Sequence, residues 1–184
     1  LYLLHFVITM IVGVIHKRRF PKVKEKCRYG ILVSAQDEEN VIPRLINSLR
    51  SADYPQDKLD IFIIAHNCKD KTGEIARNMG ANVITYNDEN ARTLGAAYKY
   101  AFNYINVNDY DGFIFLNADN VVKKDYFERI NEAFVYHKKD TVITTFRHTL
   151  NIEDGMIEWW NDRMMNDTLK YTTRSEERFS RNAE

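Results

Sequence analysis

Four polar clusters hold the side chains of this sequence best suited to chemistry: Ser34-Ala35-Gln36-Asp37-Glu38-Glu39, His66-Asn67-Cys68-Lys69-Asp70, Asn90 to Gly95, and Asn117-Ala118-Asp119. Carboxylates such as Asp119 are the oxygen ligands that hard divalent cations take, and amides such as Asn117 supply both a donor and an acceptor. A second reading of the same residues is structural. Glu38 and Glu39 at a helix start are favoured by the helix dipole, Asp70 suits an N-cap, and Asn117 to Asn120 suit a polar turn closing a buried strand. Several chemistries are excluded. No G-x-x-x-x-G-K-[ST] loop occurs, no G-x-G-x-x-G follows the first apolar run, and neither a His pair at metal spacing nor G-x-S-x-G is present. Kinase, dehydrogenase and serine hydrolase readings lose their main support.

The elements that must position these clusters follow from periodicity. YGILVSA (29–35) reads as a buried strand, and NVIPRLINSLRSA (40–52) puts Val41, Leu45, Ile46 and Leu49 on one helical face. DIFIIA (60–65) is a second strand, followed by a helix capped by Asp70 or Thr72 and closed by Gly80. NVITY (82–86), a helix over 91–105, GFIFLNA (112–118), a helix over 125–137 and DTVITTF (140–146) complete the alternation. This pattern predicts an α/β fold of three layers, a mostly parallel sheet with helices on both faces. In such sheets ligands bind at the carboxyl ends of the strands, which is where the four clusters fall.

The chain has 184 residues, 45% of them hydrophobic, enough for one domain with a full core. Its formal net charge is zero, so a nucleic-acid partner finds no bulk electrostatic support. The asymmetry is at the front, where LYLLHFVITMIVGVI runs into HKRRFPKVKEKCR. A spanning helix wants about 20 apolar residues; the alternatives are a signal-peptide core and a buried soluble helix. A signal peptide orders its charges the other way, and position 1 is not Met. The stretch is therefore expected to be a partial transmembrane helix (1–16) with a basic juxtamembrane linker (17–28), which places residues 29–184 on the cytosolic side of the cell membrane. Cys27 and Cys68 fit no metal spacing and suit a reducing compartment. In the tail, Trp159, Trp160, Met164 and Met165 allow a helix through 156–170, either a docking helix or an extension over a site.

In order and spacing, residues from about Tyr29 to Phe146 resemble the family 2 glycosyltransferases. ILVSAQDEENVIPRLINSL resembles their Pro-x-x-Asn-Glu-Glu opening, and DYPQDKLDIFIIAHNCKDKTGEIARNMGANVI resembles their second strand and Asn-Cys-x-Asp-x-Thr turn. The form is most similar to the membrane-bound branch that makes N-acetylglucosamine, hyaluronan or cellulose-like polymers. The resemblance implies an A-type glycosyltransferase fold, with a nucleotide-sugar-binding domain over 29–150 and a helical extension (151–184) leading to an acceptor half. It implies a UDP-sugar donor, a glycan or lipid-linked acceptor, inversion at the transferred sugar, and manganese or magnesium as cofactor.

By the same resemblance Ala35, Gln36 and Glu38 hold the base of the nucleotide, His66 stands at a base-binding Asp, and Asn67 follows it. Asn117 and Asp119 match the first and last positions of Asp-x-Asp, the former near the ribose and the latter on the metal. Thr93 to Tyr98 replaces a Gly-Lys-Gly stretch, leaving Arg92 to bring positive charge. The departures are Ser34 for Pro, Asp37 for Asn, His66 for Asp, Asn117 for Asp and Leu94 for Lys. The Glu-Asp base and Gln-x-x-Arg-Trp of the acceptor half do not occur, so no catalytic residue is assigned. Two readings follow: the donor-binding part of a membrane-anchored glycosyltransferase, or a degenerate, inactive module kept as a binding partner. A nucleotidyltransferase on a related fold is disfavoured by SAQDEEN in place of a glycine-rich loop.

Overall fold

The structure, a computed structural model, describes residues 20–88, 93–139 and 141–145. The expected transmembrane segment, Arg92 and the 151–184 extension lie outside the described residues. Among the described residues no helix is long and apolar enough to cross a membrane. Strands β1 (Tyr29–Ala35), β2 (Leu59–His66), β3 (Asn82–Tyr86) and β4 (Gly112–Asn117) alternate with helices α1 (Ile42–Arg50), α2 (Thr72–Asn78), α3 (Leu94–Ala101) and α4 (Tyr126–Tyr136). The strands form one parallel sheet in the order β3-β2-β1-β4.

That order, with the handedness of crossovers, decides which face each helix covers. Stepping from β1 to β2 to β3 moves one way across the sheet and returning to β4 moves the other, so right-handed connections put α3 on the face opposite α1 and α2. The packing agrees. Leu32 and Ile64 are fully buried beneath Ala97 and Ala101 of α3, whose small side chains let the helix lie close to the strands. On the other face a side chain at Gly73 of α2 would touch Ala65 and Val83, and Phe134 of α4 stacks on Tyr29 at 5.9 Å. β1 is therefore covered on both sides, which explains its unbroken apolar sequence.

Helix α1 starts with Pro at its first turn and buries Ile42, Leu45, Ile46 and Leu49; Ile42 takes the inward position expected of Val41. Gly80 ends α2 at φ +77°, the left-handed residue its place predicted. Gly30 is required for a different reason. A methyl group there would lie 2.6 Å from Phe113 Cε1, and that ring is held between Phe102 at 5.1 Å and Tyr110 at 5.3 Å. Gly30→Ala should lower stability by about 1–3 kcal/mol, seen as a lower urea midpoint with unchanged slope.

The segment 20–28 is tied to α4 at several points. Lys26 pairs with Glu128, Asn131 Nδ2 donates to the Glu25 carbonyl at 2.7 Å, and Phe20 stacks on Tyr136 and His137 at the far end of α4. The chain divides into two compact units at Thr141 and Val142. The fifth strand expected over 140–146 is not formed by the described residues 141–145. Their alternating Thr and aliphatic residues match a strand pattern, but a strand exists only through a hydrogen-bonded neighbour, and Val142 is 87% exposed.

Candidate functional site

The sheet reverses its order of connection at β1, so the crevice for a ligand is expected between the carboxyl ends of β1 and β4. The register puts Ser34 opposite Asn117 and His66 opposite Tyr86. Ser34 also pairs with Ile64, two residues before His66; paired residues of parallel strands and alternate residues of one strand point to the same side, so Ser34, His66 and Asn117 share the α3 face at this edge. Sequence alternation alone could not have shown that three residues so far apart are aligned.

Two loops at the edge are clasped to each other. The Asp37 carboxylate accepts from the Lys69 and Asp70 amides at 2.6 and 3.3 Å, and Glu39 accepts from the Lys71 amide at 3.0 Å. In return Asp70 Oδ2 accepts from the Glu39 amide at 3.0 Å, and Thr72 Oγ1 from the Glu38 amide at 2.8 Å. Asp37 and Asn67 turn the two strand ends at φ 54° and 51°, a left-handed conformation that Asp and Asn tolerate best among non-glycine residues. The sequence offers Asp70 or Thr72 as the helix cap, but the N-cap position is Lys71, which makes no side-chain cap bond. Asp70, one residue before it, accepts from the Thr72 amide and hydroxyl at 2.9 and 2.6 Å, and Thr72, the first helical residue, turns its hydroxyl to the neighbouring loop.

Partial burial pushes the Asp70 carboxyl up, but the hydrogen bonds it accepts from Thr72 and Glu39 outweigh that and hold it below its ordinary value. A lowered folded pKa stabilises the protein fully above the unfolded aspartate value, about 4, and that contribution disappears as pH falls through the lower folded value. Asp70→Asn should therefore be less stable at neutral pH by about 1 kcal/mol. The gap to wild type should begin to narrow below about pH 4 and close as pH falls through the lowered folded value, as measured by urea unfolding across pH.

The other sequence candidates are placed as follows. Ala35 is buried at the end of β1, and its carbonyl accepts the Cys68 thiol at 3.3 Å. Gln36 is exposed, and Glu38 is half-buried with its carbonyl receiving the Val41 and Ile42 amides. The Asn67 side chain is engaged on both sides, donating to the Asp88 carbonyl at 3.2 Å and accepting from the Asp88 amide at 2.9 Å, which joins the ends of β2 and β3. His66 is only 9% exposed, and its ring meets no hydrogen-bond partner among the described residues. Asn117 and Asp119 are exposed in a turn closed by Asn120, which accepts from the Asn117 amide at 3.1 Å and donates to Asp119 Oδ1 at 3.2 Å. Sequence reading missed Ser48 of α1, whose hydroxyl accepts from the Val122 amide at 3.2 Å and anchors the chain after Asp119. A lone serine on a helix carries no pattern that would have marked it.

Asp119 stands in no group of three Asp, Glu, His or Cys side chains close enough to share an ion among the described residues. One such group is present: Asp37, Cys68 and Asp70, with ligand atoms within 4.8 Å of one another. Its chemistry suits a clasp better than a cation site. Burial pushes the Cys68 thiol up, which keeps it a neutral donor to Ala35, and both carboxylates already accept backbone amides. Asp119 has a different donor set, a solvent-facing carboxylate whose one side-chain tie among the described residues is Asn120. A single carboxylate completed by phosphate oxygens and water is a normal magnesium or manganese site.

Residues 30–181 match the family model described as glycosyl transferase family 2. The chain belongs to this family. A probable glycosyltransferase of Bacillus subtilis, YdaM, is 33% identical over 63 residues, 32% of this chain and 15% of that protein. Among solved structures, the mannosyltransferase PcManGT of Pyrobaculum calidifontis, in complex with GDP-Man and Mn2+, is similar with TM-score 0.55 and 14% identity over 70% of this chain and 39% of that one. S. aureus TarS 1-349 in complex with UDP-GlcNAc is similar with TM-score 0.50 and 17% identity over 67% and 41%. The family 2 chain thus spans a small part of the curated relative and about two fifths of these structures. Its parallel sheet and helices are the A-type glycosyltransferase fold.

Proposed function

We propose that this chain is the donor-binding part of a membrane-anchored, inverting glycosyltransferase that takes a UDP-sugar with a divalent cation and passes the sugar to a glycan or lipid-linked acceptor. The observation that carries the reading is His66. It is buried with no hydrogen-bond partner for its ring among the described residues, an arrangement that costs free energy unless a partner is supplied, and it sits at the carboxyl edge of the sheet, where such folds take ligands. An imidazole carries two ring nitrogens that can hydrogen-bond, which suits the polar edge of a base. Asn117, on the same face beside Ser34, offers its amide to a ribose hydroxyl. Asp119 would hold the cation, which when bound neutralises the charge growing on the diphosphate as the sugar–oxygen bond breaks. The clasp and Ser48 fix the three strand ends so that these groups are oriented before the ligand arrives.

Equilibrium titration of the chain with UDP, with and without manganese, tests the proposal. Saturable binding that manganese strengthens supports it, and no binding at millimolar nucleotide under either condition overturns it.

Leu94, His66 and Asn117 favour a second reading, a site eroded to a structural module. Leu94 is half-exposed in the first turn of α3, where a lysine would suit a diphosphate. If the site is eroded, the triple change His66→Asp, Asn117→Asp and Leu94→Lys should raise UDP affinity by at least tenfold, on the order of 1.4 kcal/mol. If the unaltered chain already binds as tightly as the triple variant, the eroded reading falls.

A further inference from the structure

We propose that the corner formed by Phe20, Tyr136, His137 and Lys138, with Lys22 and Lys24 beside it, rests on the anionic headgroups of the bilayer that receives the apolar stretch. This extends the membrane-anchoring part of the proposed function and rests on it. Phe20 packs on Tyr136 at 5.4 Å and on His137 at 5.8 Å, and Tyr136 and His137 meet edge-on at 5.1 Å. Tyr136 nevertheless stays 59% exposed. An amphipathic ring left open beside cations is typical of the membrane–water interface.

Chain length limits where this corner can be. The apolar stretch ends at Ile15, five residues before Phe20, so the two are at most about 18 Å apart. Charge is complementary to an anionic surface. Lys26, Lys139 and Arg28 are matched by Glu128, by Glu25 with Asp111, and by Asp60. Lys22, Lys24 and Lys138 form no ion pair among the described residues. The backbone adds a separate observation. Lys138 and Lys139 end α4 at φ 58° and 63°, in a motif where the Lys139 amide donates to Phe134 and the Lys138 amide to Val135. Glycine is the usual residue there. Lys139 is explained by its two carboxylates; Lys138, left-handed and without an ion pair among the described residues, suits a partner outside the protein. The corner lies at the end of α4 opposite the Asn117 turn, so the candidate site stays clear of the lipid.

Hydrogen exchange on the full chain in lipid nanodiscs tests this, comparing phosphatidylcholine alone with phosphatidylcholine mixed with phosphatidylglycerol. The amides from Phe134 to Lys139 should exchange roughly tenfold more slowly in the anionic discs, because each lysine near such a surface strengthens contact about fivefold. High salt should erase the difference. The triple variant Lys22→Glu, Lys24→Glu, Lys138→Glu should also erase it, with α1 exchanging as in wild type to show that the fold is kept. Equal exchange in both discs, with the protein embedded, overturns the surface and leaves the anchor standing. A chain that stays in solution and enters neither disc overturns both.

Discussion

Replacing Asn131 with leucine is expected to cost about 3–4 kcal/mol of stability, more than any other single change considered for this fold. Asn131 is fully buried on α4. Its Oδ1 accepts from the Cys27 amide at 3.1 Å and the Tyr29 hydroxyl at 3.2 Å, and its Nδ2 donates to the Glu25 carbonyl at 2.7 Å. With both lone pairs of Oδ1 engaged, the Tyr54 hydroxyl, 3.1 Å away, donates instead to the Cys27 carbonyl at 2.8 Å. Burial pushes both phenols well above their ordinary value, so they remain donors. Leucine would fill the space and leave the Cys27 amide and the Tyr29 hydroxyl without partners in the core, and the partly buried Glu25 carbonyl without its donor. Urea unfolding should show the loss. Adding Tyr29→Phe to Asn131→Leu should cost less than the sum of the two single changes, since one of the orphaned groups is removed. A loss under about 1 kcal/mol for Asn131→Leu would contradict this account of the core.

Asp119→Ala is expected to remove the manganese-dependent part of UDP affinity, about 2 kcal/mol or roughly thirtyfold in Kd, while leaving stability unchanged. The turn that carries Asp119 is closed by Asn120 and tethered through Val122 to Ser48, so the loop does not depend on the carboxylate. The control is Asp70→Asn, which should lower stability and leave the effect of manganese on UDP binding intact. If instead Asp70→Asn abolishes the manganese effect and Asp119→Ala does not, the cation belongs to the Asp37, Cys68 and Asp70 group.

The sequence was most informative where local patterning and tertiary demand coincide. β1 is apolar throughout because both faces are covered, and its boundaries match those read from YGILVSA. Gly80 marked the end of α2 because few other residues tolerate that backbone. The site was only partly legible. Which residues end a strand can be read from composition, but the alignment of Ser34 with Asn117 depends on the register of two strands separated by three crossovers. Asp37, Glu39 and Asp70 look alike in sequence to ligand-binding carboxylates; only their bonds to the opposite loop's amides show a structural role. The fifth strand failed for the same reason: alternation predicts a strand's faces but supplies no neighbour.

The central claim, that this edge binds a nucleotide diphosphate with its cation on Asp119, is tested most directly by manganese broadening of amide resonances in isotopically labelled protein. With UDP present, broadening should be strongest from Asn117 to Asn120, weaker at Asp37 and Asp70, and absent without nucleotide. Broadening centred on Asp37, Cys68 and Asp70, or none when UDP is saturating, would contradict it.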